Sequence, residues 1–259
     1  MPNKGTKRRF PAHRQTVLDI LAASRSVPAF PLLRDFQLGE TEIARKACST
    51  RIGWTAIFLK AYSQVSMEIP ELRDRYVRFP REHIYRHPSP VASISIHRND
   101  DDGNPRLIWA KICNAETTEL QVLQGQLNDA LNKPLREIYR DGCILERSPK
   151  FLRRFCLWWA MNFAGRKHCK HIGTFSISSL ASQNCLNAYH PLITTTSLAY
   201  APVNENGVSP IALICDHRTI DGMLAAQALQ SLESKLQNEI IIELESIASL
   251  PNKLWLARK

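Results

Sequence analysis

Glycine is scarce in this 259-residue chain: ten occur, and they form neither a G-x-G-x-x-G nor a G-x-x-x-x-G-K run. A dinucleotide fingerprint and a P-loop are therefore excluded. No C-x-x-C pair occurs among the seven cysteines, at positions 48, 113, 143, 156, 169, 185 and 215. An odd number scattered through apolar stretches predicts free, mostly buried thiols in a reducing compartment. No apolar run approaches the roughly 18 residues that cross a bilayer, and the basic N-terminus lacks the apolar stretch of a secretory signal. The expectation is a soluble, cytoplasmic protein.

Metal-ligand spacing is equally thin. His168-Cys169-x-His171 lacks a second ligand pair, and His83-x-x-x-His87 lacks the glutamate of a zinc-protease helix and runs into Pro88-Ser89-Pro90. These histidines read as surface or core residues, and no metal is expected. The charge is the one excess: 34 Lys and Arg against 24 Asp and Glu, net +10. That balance suits nucleic acid, an anionic surface or a phosphorylated small molecule. The basic residues are spread out and carry no nucleic-acid-binding signature beyond a dense run at Lys4 to Arg9, so nucleic acid is not expected as a partner.

Hydrophobic periodicity predicts alternating helices and strands. Helices are expected over His13–Ala23, Thr41–Cys48, Trp54–Ile69, Glu116–Leu135 and Ile220–Leu236, the last followed by a less regular C-terminal piece. Strands are expected over Ala29–Leu38, Tyr76–Phe79, Val91–His97, Arg106–Cys113, Gly173–Leu180, Thr194–Tyr200 and Ile211–Cys215, with a hairpin turn at Asn99–Asn104. Strict alternation along GTFSISSL puts Thr174, Ser176 and Ser178 on one face and Phe175 and Ile177 on the other. Residues 1–10 read as a disordered basic tail and 11–259 as a single α/β domain on a mixed sheet. The stretch Ser148–Gly165 sets Phe151, Phe155, Trp158, Trp159 and Phe163 on one helical face between basic flanks. Such a helix could lie on a membrane surface or wall an apolar pocket; a buried core helix is the leading expectation.

Chemistry concentrates at Ile211–Gly222, IALICDHRTIDG. An apolar strand delivers Asp216-His217-Arg218, and Asp221-Gly222 opens a helix four residues after the histidine. A histidine fixed at a strand end suits a general base, because imidazole titrates near neutral pH. Asp221, if buried, needs a cationic or donor partner. Cys215 reads as a core strand residue.

The segment resembles the catalytic motif of the acyltransferase core of 2-oxo acid dehydrogenase complexes, a family that shares its fold with chloramphenicol acetyltransferase. The family's DHRxxDG stands here as Asp216-His217-Arg218-Thr219-Ile220-Asp221-Gly222. Gly173–Leu180 is similar to the family's G-T-F-T-I-S-N-L strand, and His13-Arg14-Gln15 with Ser24 and Pro28 is similar to its opening helix. The matches span most of residues 11 to 237. The resemblance implies a two-layer sandwich, a mixed sheet with helices on one face, assembling as a homotrimer or something larger. It implies His217 as general base, Ser178 as hydrogen-bond donor to the tetrahedral oxyanion, and Asp221 paired with Arg14 in the site wall. The histidine and serine would come from neighbouring subunits. The substrate would be an acyl-coenzyme A, its group passing to a thiol, hydroxyl or amine acceptor, either a small molecule or a carrier. Drug acetylation of the chloramphenicol type shares that chemistry. The coenzyme-binding residues are not legible.

The departures from the family are specific. About ten residues precede the core, so no lipoyl group is expected on this chain, and a stand-alone enzyme is expected rather than a standard complex subunit. Asn and Gly after the strand's serine are Ser179 and Ala181. Pro134–His171 is longer and more aromatic, and Ala181–Pro191 lacks the family's glycines. The alternative is a catalytically silent trimeric scaffold or partner subunit, which needs neither His217 nor Ser178.

Overall fold

The computed structural model describes residues 5–8, 10–100 and 103–249, with the side chains of 12 and 13 left aside. The tail expected over 1–10 thus falls partly outside the described residues, and 5–8 and 10 carry no regular secondary structure. In chain order the elements are α1 (Ala12–Ser24), β1 (Ala29–Gln37), α2 (Gly39–Ala47), α3 (Trp54–Glu68), β2 (Asp74–Val77), β3 (His83–Arg86), β4 (Val91–Asn99) and β5 (Pro105–Cys113). Next come α4 (Leu120–Asn132), α5 (Leu135–Ile138), α6 (Arg140–Arg147), α7 (Lys150–Asn162), α8 (Gly165–His171), β6 (Phe175–Ser179), β7 (Thr196–Tyr200), β8 (Val208–Asp216), α9 (Gly222–Gln237) and α10 (Glu239–Ser249).

Six strands form one mixed sheet in the order β1-β8-β7-β6-β4-β5, with β6 parallel to both β4 and β7 and the other pairs antiparallel. Pro31 is tolerated in β1 because that strand is an edge, pairing only with β8. One sheet face carries the core. Ile94, Phe175, Ile177, Leu198 and Leu213 pack there against Phe58 and Tyr62 of α3, Leu123 of α4, Leu229 and Leu232 of α9, and Leu244 of α10. The Tyr62 hydroxyl, buried within this layer, donates to Thr196 Oγ1 at 2.7 Å.

Several expectations need correction. The C-terminal piece beyond α9 is a regular helix, α10, with Ile240, Leu244 and Ile247 buried. The aromatic helix α7 does not bury its stripe in the core: Phe151 is 76% and Phe155 57% exposed, and Trp158, Trp159 and Phe163 are also exposed. What α7 buries is Met161, packed with Val27, Leu192 and Ile214, and the charged Arg153. Arg153 donates through Nε to Asp19 of α1 at 2.8 Å, both side chains about 5% exposed, and through Nη1 and Nη2 to Ser148 O and Gln15 Oε1. Arg154 reaches the other oxygen of Asp19 at 3.0 Å. The thiols are all free, but only Cys169 and Cys215 are buried, while Cys113, Cys156 and Cys185 are exposed.

The turn that feeds β8 rests on a close backbone approach. Gly207 has φ +76°, its carbonyl accepts from Leu38 N at 2.7 Å, and a Cβ there would sit 2.9 Å from Gly39 Cα. Gly207→Ala should therefore lower unfolding stability by at least about 1–2 kcal/mol, the cost of a left-handed non-glycine residue. An unchanged urea midpoint would show that the turn relaxes freely.

Candidate active site

β8 is apolar on both faces and ends in a carboxylate. Asp216 is 1% exposed. It accepts from Arg218 N at 3.1 Å, Arg218 Nε at 2.8 Å and Arg218 Nη2 at 2.6 Å, and its backbone carbonyl accepts from Thr219 N and Ile220 N. This closed turn projects His217 outward. The His217 amide donates to Pro28 O at 2.9 Å, and its ring lies against Phe30 with centroids 4.6 Å apart. Nδ1 is 3.1 Å from Ile220 O. A carbonyl only accepts, so Nδ1 carries the proton and Nε2 keeps a free lone pair. The ring is exposed on the isolated chain.

Behind the turn, Arg75 is 1% exposed and donates to Ile193 O and to Met161. Burial lowers its pKa to about 10, against the opposing pull of Asp216. Burial likewise pushes the Cys215 thiol up to about 12, which leaves it a core residue rather than a nucleophile.

Ser178 stands where the alternation places it, with Ser176, on the sheet face opposite Phe175 and Ile177. Its Oγ accepts a long 3.5 Å hydrogen bond from Asn187 Nδ2, which leaves the hydroxyl proton free to donate elsewhere. That face floors a cavity of about 930 Å³, with Ser93, Ser95, Ser176 and Ser178 on the sheet side and α1, α6 and α7 above.

The structure does not bring Ser178 and His217 together within one chain. β6 runs parallel to β7 and β7 antiparallel to β8, so the C-terminal ends of β6 and β8 lie at opposite ends of the sheet. Ser178 is level with Ala199, whereas Asp216 is level with Thr195. Four residues along and two strands across separate Ser178 from Asp216 by roughly 16 Å, and His217 lies one residue further on. His217 is not among the residues that line the cavity.

The expected Arg14–Asp221 pair is not formed among the described residues, and both side chains are exposed. Asp221 instead caps α9, its Oδ1 accepting from Leu224 N at 2.8 Å. Its charge is met by a helix N-terminus and solvent, so no cation is required. Arg14 lies ten residues before the end of α1, about 15 Å along the axis from the end that neighbours the His217 turn.

A second polar group was not anticipated from the sequence. His190 Nδ1 lies 3.4 Å from Asn187 O, and its Nε2 accepts from Ser197 Oγ at 2.6 Å. Ser197 Oγ in turn accepts from Ser176 Oγ at 2.6 Å. Both His190 and Ser176 line the cavity. The only signal was the glycine-poor loop Ala181–Pro191, which has no periodicity to read. Among the described residues no three His, Cys, Asp or Glu side chains cluster as a metal site. His83 is exposed and bonded to Arg81 O.

His168 is buried in α8. Burial, then the Arg75 charge, holds its ring well below the ordinary imidazole range; burial lowers His190 as well. Above about 6.5 neither folded nor unfolded chain protonates these rings. As pH falls below that, the unfolded chain gains the protons first, so stability declines toward the folded-state values. His168→Leu should shrink the drop in urea midpoint between pH 7.5 and 5; an identical drop would mean that the ring is already accommodated as a cation.

No family model and no curated protein matches the sequence. Solved structures do. A probable dihydrolipoamide acetyltransferase from Listeria monocytogenes aligns with a TM-score of 0.67 at 16% identity, over 92% of this chain and 96% of that one. The dihydrolipoamide acetyltransferase of Azotobacter vinelandii gives 0.63 at 19% identity, over 93% and 96%. There a serine, a histidine and an asparagine four residues beyond the histidine were studied for their role in catalysis. A truncated catalytic core of the 2-oxoacid dehydrogenase multienzyme complex from Thermoplasma acidophilum gives 0.64 at 14% identity, over 90% and 99%. The chain has the fold of these acyltransferase cores.

Proposed function

We propose that the protein is an acyltransferase that moves an acyl group from an acyl-coenzyme A thioester to a thiol, hydroxyl or amine acceptor, working as a homotrimer. The observation that carries this reading is the imidazole of His217, with Nδ1 committed to Ile220 O and Nε2 free at the end of a DHRxxDG turn. Ser178 and His217 match in type the serine and histidine studied in the Azotobacter enzyme, and Asp221 takes the place of its asparagine. Because one chain keeps base and hydroxyl at opposite ends of the sheet, each site needs His217 from one copy and Ser178 from the next.

The chemistry follows from the two groups. His217 Nε2 takes the proton of the acceptor as it attacks the thioester carbonyl. The oxyanion that forms accepts from Ser178 Oγ–H. Collapse breaks the carbon–sulfur bond, and the departing coenzyme thiolate takes the proton from the imidazolium. No covalent enzyme intermediate is required. Asp216 and Arg218 hold the base in place, and Asp221 fixes the start of α9 behind it. Arg14 lies in α1, the helix that leads into the Pro28 segment on which His217 rests, and no role at the reacting atoms is assigned to it.

Two variants test this. His217→Ala should lower kcat by about 10²–10⁴-fold, the ordinary contribution of a general base. Ser178→Ala should lower it by about 10²–10³-fold, the ordinary contribution of one oxyanion donor. Co-expressed, the two inactive chains should regain turnover, since mixed assemblies pair an intact His217 with an intact Ser178. Coenzyme release that stays absent in every mixture would refute sharing across subunits, turnover unaffected by either change would refute the roles of His217 and Ser178, and a parent protein without turnover would favour a scaffold.

A further inference from the structure

The cavity above Ser178 is far larger than acetyl transfer requires. At about 930 Å³ it lies near the top of the roughly 300–1,000 Å³ typical of sites for drug-sized ligands. Above the serine floor its walls are hydrocarbon and aromatic: Leu107 and Trp109 from β5, Leu145 from α6, Phe155, Leu157 and Trp159 from α7. Several of the charges that reach it are already engaged, while Glu137, Arg140 and Lys167 are exposed on its lining. Arg153 is locked to Asp19, and Lys111 and His171 both contact Asp141 at 3.2 and 3.0 Å. His190, Ser197 and Ser176 satisfy one another. The remaining exposed cations on its lining, Arg140 and Lys167, lie where it meets solvent, Lys167 over the face of Trp159. An occupant with an apolar body and an anionic head fits this distribution.

We infer that the cavity holds the hydrocarbon tail of a medium- or long-chain acyl thioester, its carbonyl at Ser178 and its tail running between the sheet and α7. This deepens the acyl-transfer reading and rests on it. It also assigns a purpose to the aromatic stripe: α7 turns Phe155 and Trp159 to the chamber, and the Asp19 clamp fixes that roof to α1. The tail gains by leaving water, and each buried methylene is worth about fourfold in affinity.

The test is calorimetric titration of the whole chain with coenzyme A, acetyl-, butyryl-, octanoyl- and dodecanoyl-coenzyme A, and with free octanoate. Affinity should climb by up to about fourfold per methylene until the tail fills the chamber, putting octanoyl at least about a hundredfold above acetyl. Ala160→Trp, and separately Leu145→Trp, should pull that ratio toward one, with circular dichroism reporting the fold. Equal affinity for acetyl and octanoyl donors would overturn the proposal, as would a ratio left intact in both folded variants. Octanoate binding as tightly as octanoyl-coenzyme A would overturn the thioester assignment. His217→Ala should keep the chain-length ratio. If no donor supports transfer while the ratio persists, acyl transfer fails and the tail pocket stands; transfer with a flat ratio has the opposite meaning.

Discussion

The carboxylate of Asp216 organises the rest. It is buried at the end of an apolar strand, where an unpaired charge is not sustainable, and its two neighbours in space are the guanidinium groups of Arg218 and Arg75. Arg218 closes the turn that aims His217. Arg75 looks the other way, binding Ile193 O beside the cavity and Met161 at the end of α7. The Arg75 charge thus links the Asp216–His217–Arg218 turn at one sheet end to the wall of the chamber. Removing Arg218 would leave the buried Asp216 carboxylate without its bonded cation, so the motif's aspartate and arginine are structural conditions for its histidine.

The parts legible in advance were those governed by local periodicity. Alternation along GTFSISSL put Ser178 on the polar face because a strand has period two and the neighbouring Phe175 and Ile177 had only one core to enter. DHRxxDG placed His217 at a strand-to-helix junction. The failures were all questions of which elements meet. The helical stripe of α7 was visible, but a period of 3.6 does not say what lies opposite, and the partner of that helix turned out to be Asp19, reached through arginines. The family resemblance implied a pair between Arg14 and Asp221, yet the length of α1 carries Arg14 away. His190 lies in an irregular loop, where only the tertiary fold brings its ring to Ser197.

The segment Pro134–His171 explains why so familiar a sheet encloses so large a space. Helices α3, α4, α9 and α10 cover one face, as expected of a two-layer sandwich. On the opposite face α6 and α7 stand off from the serines, tethered by the Asp19 clamp and by an ion pair between Arg106 and Glu146. These polar tethers, together with Met161 packed against Val27, Leu192 and Ile214, hold the roof over the sheet.

The placement of the proposed base and hydroxyl at opposed ends of β8 and β6 has a consequence for symmetry. In the proposed shared site each copy offers two unlike half-sites, which the proposed trimer joins head to tail. A closed ring completes as many centres as it has members. An open string of copies always leaves one imidazole and one serine idle at its two termini. In the proposed arrangement ring closure is part of the chemistry, and a closed ring of any size has one working centre per chain.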